Sequence, residues 1–472
     1  MNKISFVISG GVSLCTYEIG VLTSFYQTFL KNQNIDFEIV SGSSAGALSA
    51  FLFYEAVRSG RNPFFMSNLI IKYADVKYLL SKNDENIFDF NNFLEVFERI
   101  STDNPLCDYE YDSKECKKNR CTDFCDMKIC KNNRNSKIKL ILNVTSLEPL
   151  LRDLNDKVYS KDYTLRTHNL DFLIDPDIVE KKMVFDILKA SLSFPIFFPF
   201  VEFVLNKTVF KDYSEKYKDS NIKLNLTDGG ITQNLPFRSI FNLILKTDNL
   251  ILIIPYPDDL EKIQKDSEKI KKYTPIFGIF KLLDAAFYQS LYSDIKIALK
   301  YNDLENLYQK KAKEFEEVFN ELPPEKQNVV REFFKKVYPD FVSFDEVFTT
   351  KKKMVKIDII SPSNPKDQLA GEVLNHFGGF FDENIRINDL LVGYFDGKKY
   401  LEKNGFYIDD LFFKKKVKTK DLSYKKIRNK KLFLIIFLKT LLSILYPYRK
   451  KIIFLFFILF IKFFLKFLNA TC

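Results

Sequence analysis

Gly42-Ser43-Ser44-Ala45-Gly46 sets a serine between glycines in a G-x-S-x-G pattern. A hydroxyl works as a nucleophile when a sharp turn presents it and a base takes its proton, and flanking glycines allow the close backbone approach that such a turn needs. The base has to come from elsewhere in the chain. Two histidines are present, His168 and His376, so a Ser44, Asp228, His376 order can be written. In folds with that order several strands precede the serine, whereas the stretch before Ser44 has room for one strand, one helix and one more strand. The economical arrangement is a pair, with a carboxylate taking the Ser44 proton directly. Asp228, in Leu226-Thr227-Asp228-Gly229-Gly230, ends a β-rich run before two glycines, where it can sit at the carboxyl edge of a sheet. Partial desolvation would raise its basicity. Acyl transfer also needs donors for a developing oxyanion. Ser9-Gly10-Gly11, between a strand and a helix starting near Val12, offers backbone N–H groups at a positive helix end.

Elements that would position these groups follow from the pattern. Strands are expected at 3–8, 36–40, 137–144, 201–205, 224–227, 250–254 and 355–360, with helices at 12–30 and about 44–57. Strands alternating with helices imply an α/β fold with a mostly parallel sheet covered on both faces. Residues 258–345 read as mainly helical and heavily charged, and polar, Cys-rich residues 101–135 read as an insertion. The resulting organisation is a catalytic domain over 1–260, a helical extension with a late strand over 261–413, and a tail over 414–472.

Taken together, these segments resemble the patatin-like phospholipase family. The resemblance rests on the loop from Ser9 to Ser13, the elbow Gly42 to Gly46, the stretch Ala190-Ser191-Leu192-Ser193-Phe194-Pro195 with Phe198-Pro199, and Asp228-Gly229-Gly230 with Asn234 and Pro236. It implies a three-layer α/β/α fold, a Ser44 and Asp228 dyad, an oxyanion hole on Gly10 and Gly11, and lipid acyl hydrolysis without metal or cofactor. Phe377-Gly378-Gly379-Phe380 through Leu390, Gly393 and Asp396 is similar to the C-terminal part of some larger bacterial members. Three loop positions depart from the family pattern: Ser9 replaces a glycine, Ser13 a basic residue and Leu14 the last glycine. The same residues would serve acyl transfer to another lipid, and a catalytically silent membrane scaffold is the reading from a different class.

The net charge of +10 is unevenly placed: residues 414–472 carry sixteen basic residues and one acid, which leaves the remaining 413 residues at −5. A mildly acidic body excludes a surface that tracks phosphate backbones, so no nucleic-acid partner is expected. The tail holds apolar runs at 432–446 and 452–468, reaching roughly 23 and 26 Å as helices against a hydrocarbon core of ~30 Å. Its expected role is membrane association, spanning or lying in the headgroup boundary, with the lysines snorkelling and the ten basic residues of 414–431 facing an anionic leaflet. Residues 4–8 are too short for a signal core, so the expected location is membrane-associated with the catalytic domain on the cytoplasmic side. A reducing compartment argues against disulfides among Cys107, Cys116, Cys121, Cys125 and Cys130. The last four are candidate zinc ligands, though no C-x2-C pair occurs. His168 and His376 are expected to be structural.

Overall fold

The computed structural model describes residues 2–31, 35–61, 64–80, 88–91, 93–94, 138–156, 161–174, 181–195, 197–205, 222–237, 240, 249–256, 275–337, 355–362, 369–370 and 376–407. The 101–135 insertion with its five cysteines and the 414–472 tail lie outside those residues. In chain order come β1 (Asn2–Ile8), α1 (Cys15–Lys31), β2 (Ile35–Ser43), α2 (Ala45–Ser59), α3 (Phe65–Tyr73), α4 (Val76–Leu79), β3 (Lys139–Asp156) and β4 (Lys161–Ile174). They are followed by α5 (Lys181–Leu192), β5 (Val201–Leu205), β6 (Ile222–Asp228), β7 (Asn249–Ile253), α6 (Pro275–Glu321), α7 (Pro324–Val337), β8 (Lys356–Ile360), α8 (Gly378–Phe381) and α9 (Glu383–Lys403).

The strands form one eight-stranded sheet in the order β5-β6-β3-β2-β1-β7-β8, with β4 paired to β3. The run β3-β2-β1-β7-β8 is parallel, while β4 and β6 pair antiparallel to β3 and β5 antiparallel to β6. This is an α/β fold with a mostly parallel sheet. Central β1 and β7 each end in consecutive apolar residues because both faces are covered there; Phe6, Val7, Ile8, Leu250, Ile251, Leu252 and Ile253 have no exposed surface. Edge strand β5 instead alternates, with Val201, Phe203 and Leu205 inside and Glu202 and Val204 outside. In a chain without tryptophan, phenylalanine fills the core: Phe6 meets Phe25 and Phe53 edge to face at 5.1 and 5.3 Å, and Phe37 meets Phe53 at 4.9 Å. Such pairs add about 0.5–1.5 kcal/mol each beyond burial.

Strand β3 has the pairing that matters for the site. Its residues Lys139–Asn143 pair with β2, and Val144–Ser146 pair with β6. Antiparallel β4 already occupies the other edge at Val144 and Thr145, opposite Leu170 and Asn169. A strand has two edges, so β2 and β6 share one edge of β3 and run toward each other. Their carboxyl ends meet there, Ser43 opposite Asn143 and Asp228 opposite Val144.

Later residues join the same body. Strand β8 pairs with β7, and α9 packs along α1, where the Tyr17 hydroxyl donates to Asp396 at 3.1 Å and the Tyr394 hydroxyl to Gln27 at 2.7 Å. Among the described residues no helix is long and apolar enough to cross a membrane.

Candidate active site

Ser44 is the single residue between β2 and α2, with φ 53° and ψ −131°. A non-glycine residue held there stores about 1–3 kcal/mol and persists only where its surroundings fix it. The fixing is visible. A Cβ on Gly42 would overlap the Gly46 carbonyl, and one on Gly46 would overlap the Ser9 carbonyl, so the first turn of α2 lies directly on the end of β1. The Ser44 amide donates to Ser191 Oγ at 3.1 Å, and the Ser191 hydroxyl donates to the Asn143 carbonyl at 2.6 Å, pinning the elbow to α5 and β3.

The Ser44 hydroxyl donates to Asp228 Oδ2 at 2.5 Å. Asp228 is 1% exposed, and its Oδ1 accepts from the Gly230 amide at 2.7 Å. Burial lifts this carboxyl to about 7 against the opposing pull of the hydrogen bonds from Ser44 and Gly230. A carboxylate with that basicity suits proton abstraction near neutrality. The Asp228 amide and the Thr227 hydroxyl both donate to the Ser193 carbonyl, at 3.1 and 2.7 Å, which fixes the end of β6 against the turn after α5.

Gly10 and Gly11, expected as a pair of oxyanion donors, part company. The Gly10 amide donates to Asn234 Oδ1 at 2.7 Å and to the Asn234 carbonyl at 3.2 Å, so it is occupied. The expected donor role of Gly10 is corrected to a positioning one: an ideal Cβ there would stand 2.7 Å from Ser44 Cβ, and the absence of one lets the loop lie across the serine. Among the described residues no partner is found for the amides of Gly11 and Val12, and Val12 lines the cleft beside Ser44. Val12 also has φ 53°, an uncommon conformation for a β-branched residue. Behind the loop Glu18 Oε1 would lie 3.2 Å from a Cβ on Gly11, while its Oε2 accepts from the Ser49 hydroxyl at 2.6 Å. Full burial raises Glu18 to about 8, so at neutral pH it is mostly protonated and sets little negative charge behind the loop.

Ser44 and Asp228 open into a cleft whose walls are otherwise almost entirely apolar, including Leu79, Phe90, Phe93, Phe198, Phe377 and Phe380. Phe90 and Phe198 stack at 4.0 Å with their planes 7° apart. Neither histidine is placed as a base. His168 Nδ1 pairs with the Ser146 carbonyl at 2.8 Å, and the His376 ring packs on Tyr256 at 5.3 Å. Cys15 is buried and free, and its thiol is raised by desolvation. Among the described residues no group of His, Cys, Asp and Glu could hold a metal ion, and the candidate zinc cysteines lie outside them.

A family model described as patatin-like phospholipase matches residues 6–241, half of the chain. The chain belongs to the patatin-like phospholipase family. The match takes in both ends of the Ser44 to Asp228 contact and the loop at Gly10 and Gly11. Phe377, Phe380 and Arg386 lie beyond it. No curated protein matches this patatin-like chain by sequence. Among solved structures, the crystal structure of VipD from Legionella pneumophila is similar at a TM-score of 0.33 with 11% identity, covering 85% of this chain and 67% of that one. Two residues with clear work in this patatin-like site, Ser191 behind the elbow and Asn234 under Gly10, carry no chemistry that would single them out. Their signal in the sequence is position within the family's motif stretches.

Proposed function

We propose that the protein is a serine-dependent hydrolase of fatty acyl esters in membrane lipids, acting through Ser44 and Asp228. The observation that carries this reading is the hydrogen bond of 2.5 Å from Ser44 Oγ to a buried carboxyl of raised basicity, at the floor of an apolar cleft. Ser44 Oγ attacks the ester carbonyl as Asp228 accepts its proton, forming the C–O bond of a tetrahedral intermediate. The oxyanion faces the amides of Gly11 and Val12 and the positive end of α2. Collapse breaks the bond to the lipid alcohol, which takes the proton from Asp228. Water then attacks the acyl-enzyme, gives its proton to Asp228, and the fatty acid leaves as the proton returns to Ser44. The apolar walls match an acyl chain and exclude competing water.

The lipid surface is the proposed partner, with the 414–472 tail as tether and the body on the cytoplasmic face; the basic and apolar composition of that tail supports this. Tethering would raise the effective concentration of a surface-confined substrate. Release of fatty acid from a panel of labelled phospholipids and lysophospholipids tests the reading. Wild type and His376→Asn, which keeps a residue tolerant of positive φ, should be active, whereas Ser44→Ala and Asp228→Ala should be inactive. Activity retained in Asp228→Ala but lost in His376→Asn would overturn the base. Transfer of label to a lipid alcohol instead of water would reassign the reaction to a transacylase.

A further inference from the structure

The oxyanion loop is held from outside the family-matched residues. Ser13, which stands where the family's loop carries a basic residue, donates its hydroxyl to the His376 carbonyl at 2.5 Å and accepts from the Gly379 amide at 2.9 Å. Its own amide donates to the same His376 carbonyl at 3.0 Å. Three hydrogen bonds thus join one buried residue, 2% exposed, to a turn more than 360 positions later in the chain. Val12 and His376, on either side of these bonds, both have positive φ, 53° and 69°. A β-branched valine disfavours that region, so the surroundings must hold Val12 there, whereas histidine adopts it more readily.

The turn is itself anchored. Arg386, 2% exposed, donates to the Gly379 carbonyl at 2.7 Å, to Ile71 O at 2.8 Å and to Ala74 O at 3.0 Å, and pairs with Asp75 at 3.3 Å. These bonds tie α9 to the end of α3 and to the same glycine that holds Ser13. On the cleft side, Phe377 and Phe380 flank the turn and face the space above Ser44.

We infer that residues 376–381 form a positioning clamp for the oxyanion loop, acting through Ser13 to keep Val12 at positive φ and the Gly11 and Val12 amides set toward Ser44. Ser13 is then a positioning residue, and its neutral hydroxyl works by hydrogen bonding to the turn where the family has a charged side chain. The inference rests on the hydrolase reading. Loss of the clamp frees Val12 to return to negative φ, which turns the peptide plane between residues 11 and 12 away from the developing charge. Most of the apolar wall, including Leu79, Phe90, Phe93 and Phe198, lies outside the turn, so the deficit falls mainly on the transition state rather than on binding.

The experiment compares full-length wild type, Ser13→Ala, Gly379→Ala and the double variant, with Ser44→Ala as blank. Gly379→Ala attacks the same contact from the other side, because its Cβ would stand 2.9 Å from Ser13 Oγ. Turnover of a soluble acyl ester is read as kcat and KM, and hydrogen exchange is read at the amides of residues 11–14. Each single variant should lose roughly 10- to 100-fold in kcat with KM within about 3-fold of wild type, and residues 11–14 should exchange faster. The double variant should be little worse than either single one, since both break one contact. Faster exchange with unchanged kcat, or unchanged exchange in both single variants, would overturn the clamp. Wild type showing no Ser44-dependent turnover while the exchange arm still reports a loosened loop would reject the hydrolase reading. It would also reduce the contact to a staple of the fold, a signature distinct from failure of the clamp alone.

Discussion

Lowering the pH from 8 to 5 should switch the protein off by protonating one carboxyl. Asp228 must be ionised to accept the Ser44 proton, and burial lifts its titration to about 7. With that value the ionised fraction is about 0.9 at pH 8, about 0.5 at pH 7 and about 0.01 at pH 5, so kcat/KM should fall roughly 100-fold across the range. An aspartate at its ordinary value of about 4 would lose only about a tenth of its ionised form by pH 5, and the profile would be nearly flat. Initial rates on a soluble short-chain ester keep lipid packing and membrane charge out of the measurement. Glu18, raised to about 8 and close behind the loop, is a second buried carboxyl that titrates in this window. Glu18→Gln serves as the control, because the inflection near 7 should survive it. A flat profile between pH 5 and 8, or an inflection that disappears in Glu18→Gln, would refute the assignment of Asp228 as the group that sets the rate.

Other perturbations test separate parts of the account. Asn234→Ala removes the nearer of the two acceptors of the Gly10 amide, leaving the backbone carbonyl, and should cut kcat by roughly 10-fold with a smaller change in KM, read by steady-state kinetics. Arg386→Met strips three backbone carbonyls and Asp75 of their donor and should destabilise the fold by about 3–5 kcal/mol in denaturant titration. Glu18 is raised in the folded state, so the stability it contributes is full below about 4.5 and is lost as pH rises through about 8. Glu18→Gln should therefore shrink the fall in melting temperature between pH 5 and pH 8. Phe198→Ala removes a ring stacked in the cleft wall and should shift preference toward bulkier acyl chains, measured as the ratio of kcat/KM values across an ester series.

Much of the site is legible in the sequence because its parts sit at element boundaries. Ser44 directly follows β2 and Asp228 ends β6, and glycines mark the turns beside them. The direction of β6 is not legible. The sequence places Asp228 at a carboxyl edge but does not show that β6 meets β2 head on along one edge of β3, a long-range pairing with no local signal. The strand expected at 137–144 stops short of the full β3, which runs on through Pro149 to Asp156. In the fold that proline lies within the register shift between Thr145 and Leu150, where a missing N–H does no harm. The partner strand β4 carries Lys161, Arg166, His168 and Asp171 and so lacks an apolar run to announce it. Gly10 illustrates a finer limit. Its type and place mark an oxyanion loop, yet whether its amide faces the substrate or Asn234 depends on a side chain 224 residues away. Likewise Ser13 reads as a departure from the family loop until the turn at 376–379, distant in the chain, supplies its partners.

Intact-mass and peptide mapping after reaction with a fluorophosphonate acyl mimic puts the Ser44 and Asp228 pairing to its most direct test. The account predicts one adduct per chain, on Ser44, formed by wild type above pH 7, slowed steeply at pH 5 and absent from Asp228→Asn. An adduct that maps to another residue, or that forms at the wild-type rate in Asp228→Asn, would contradict it.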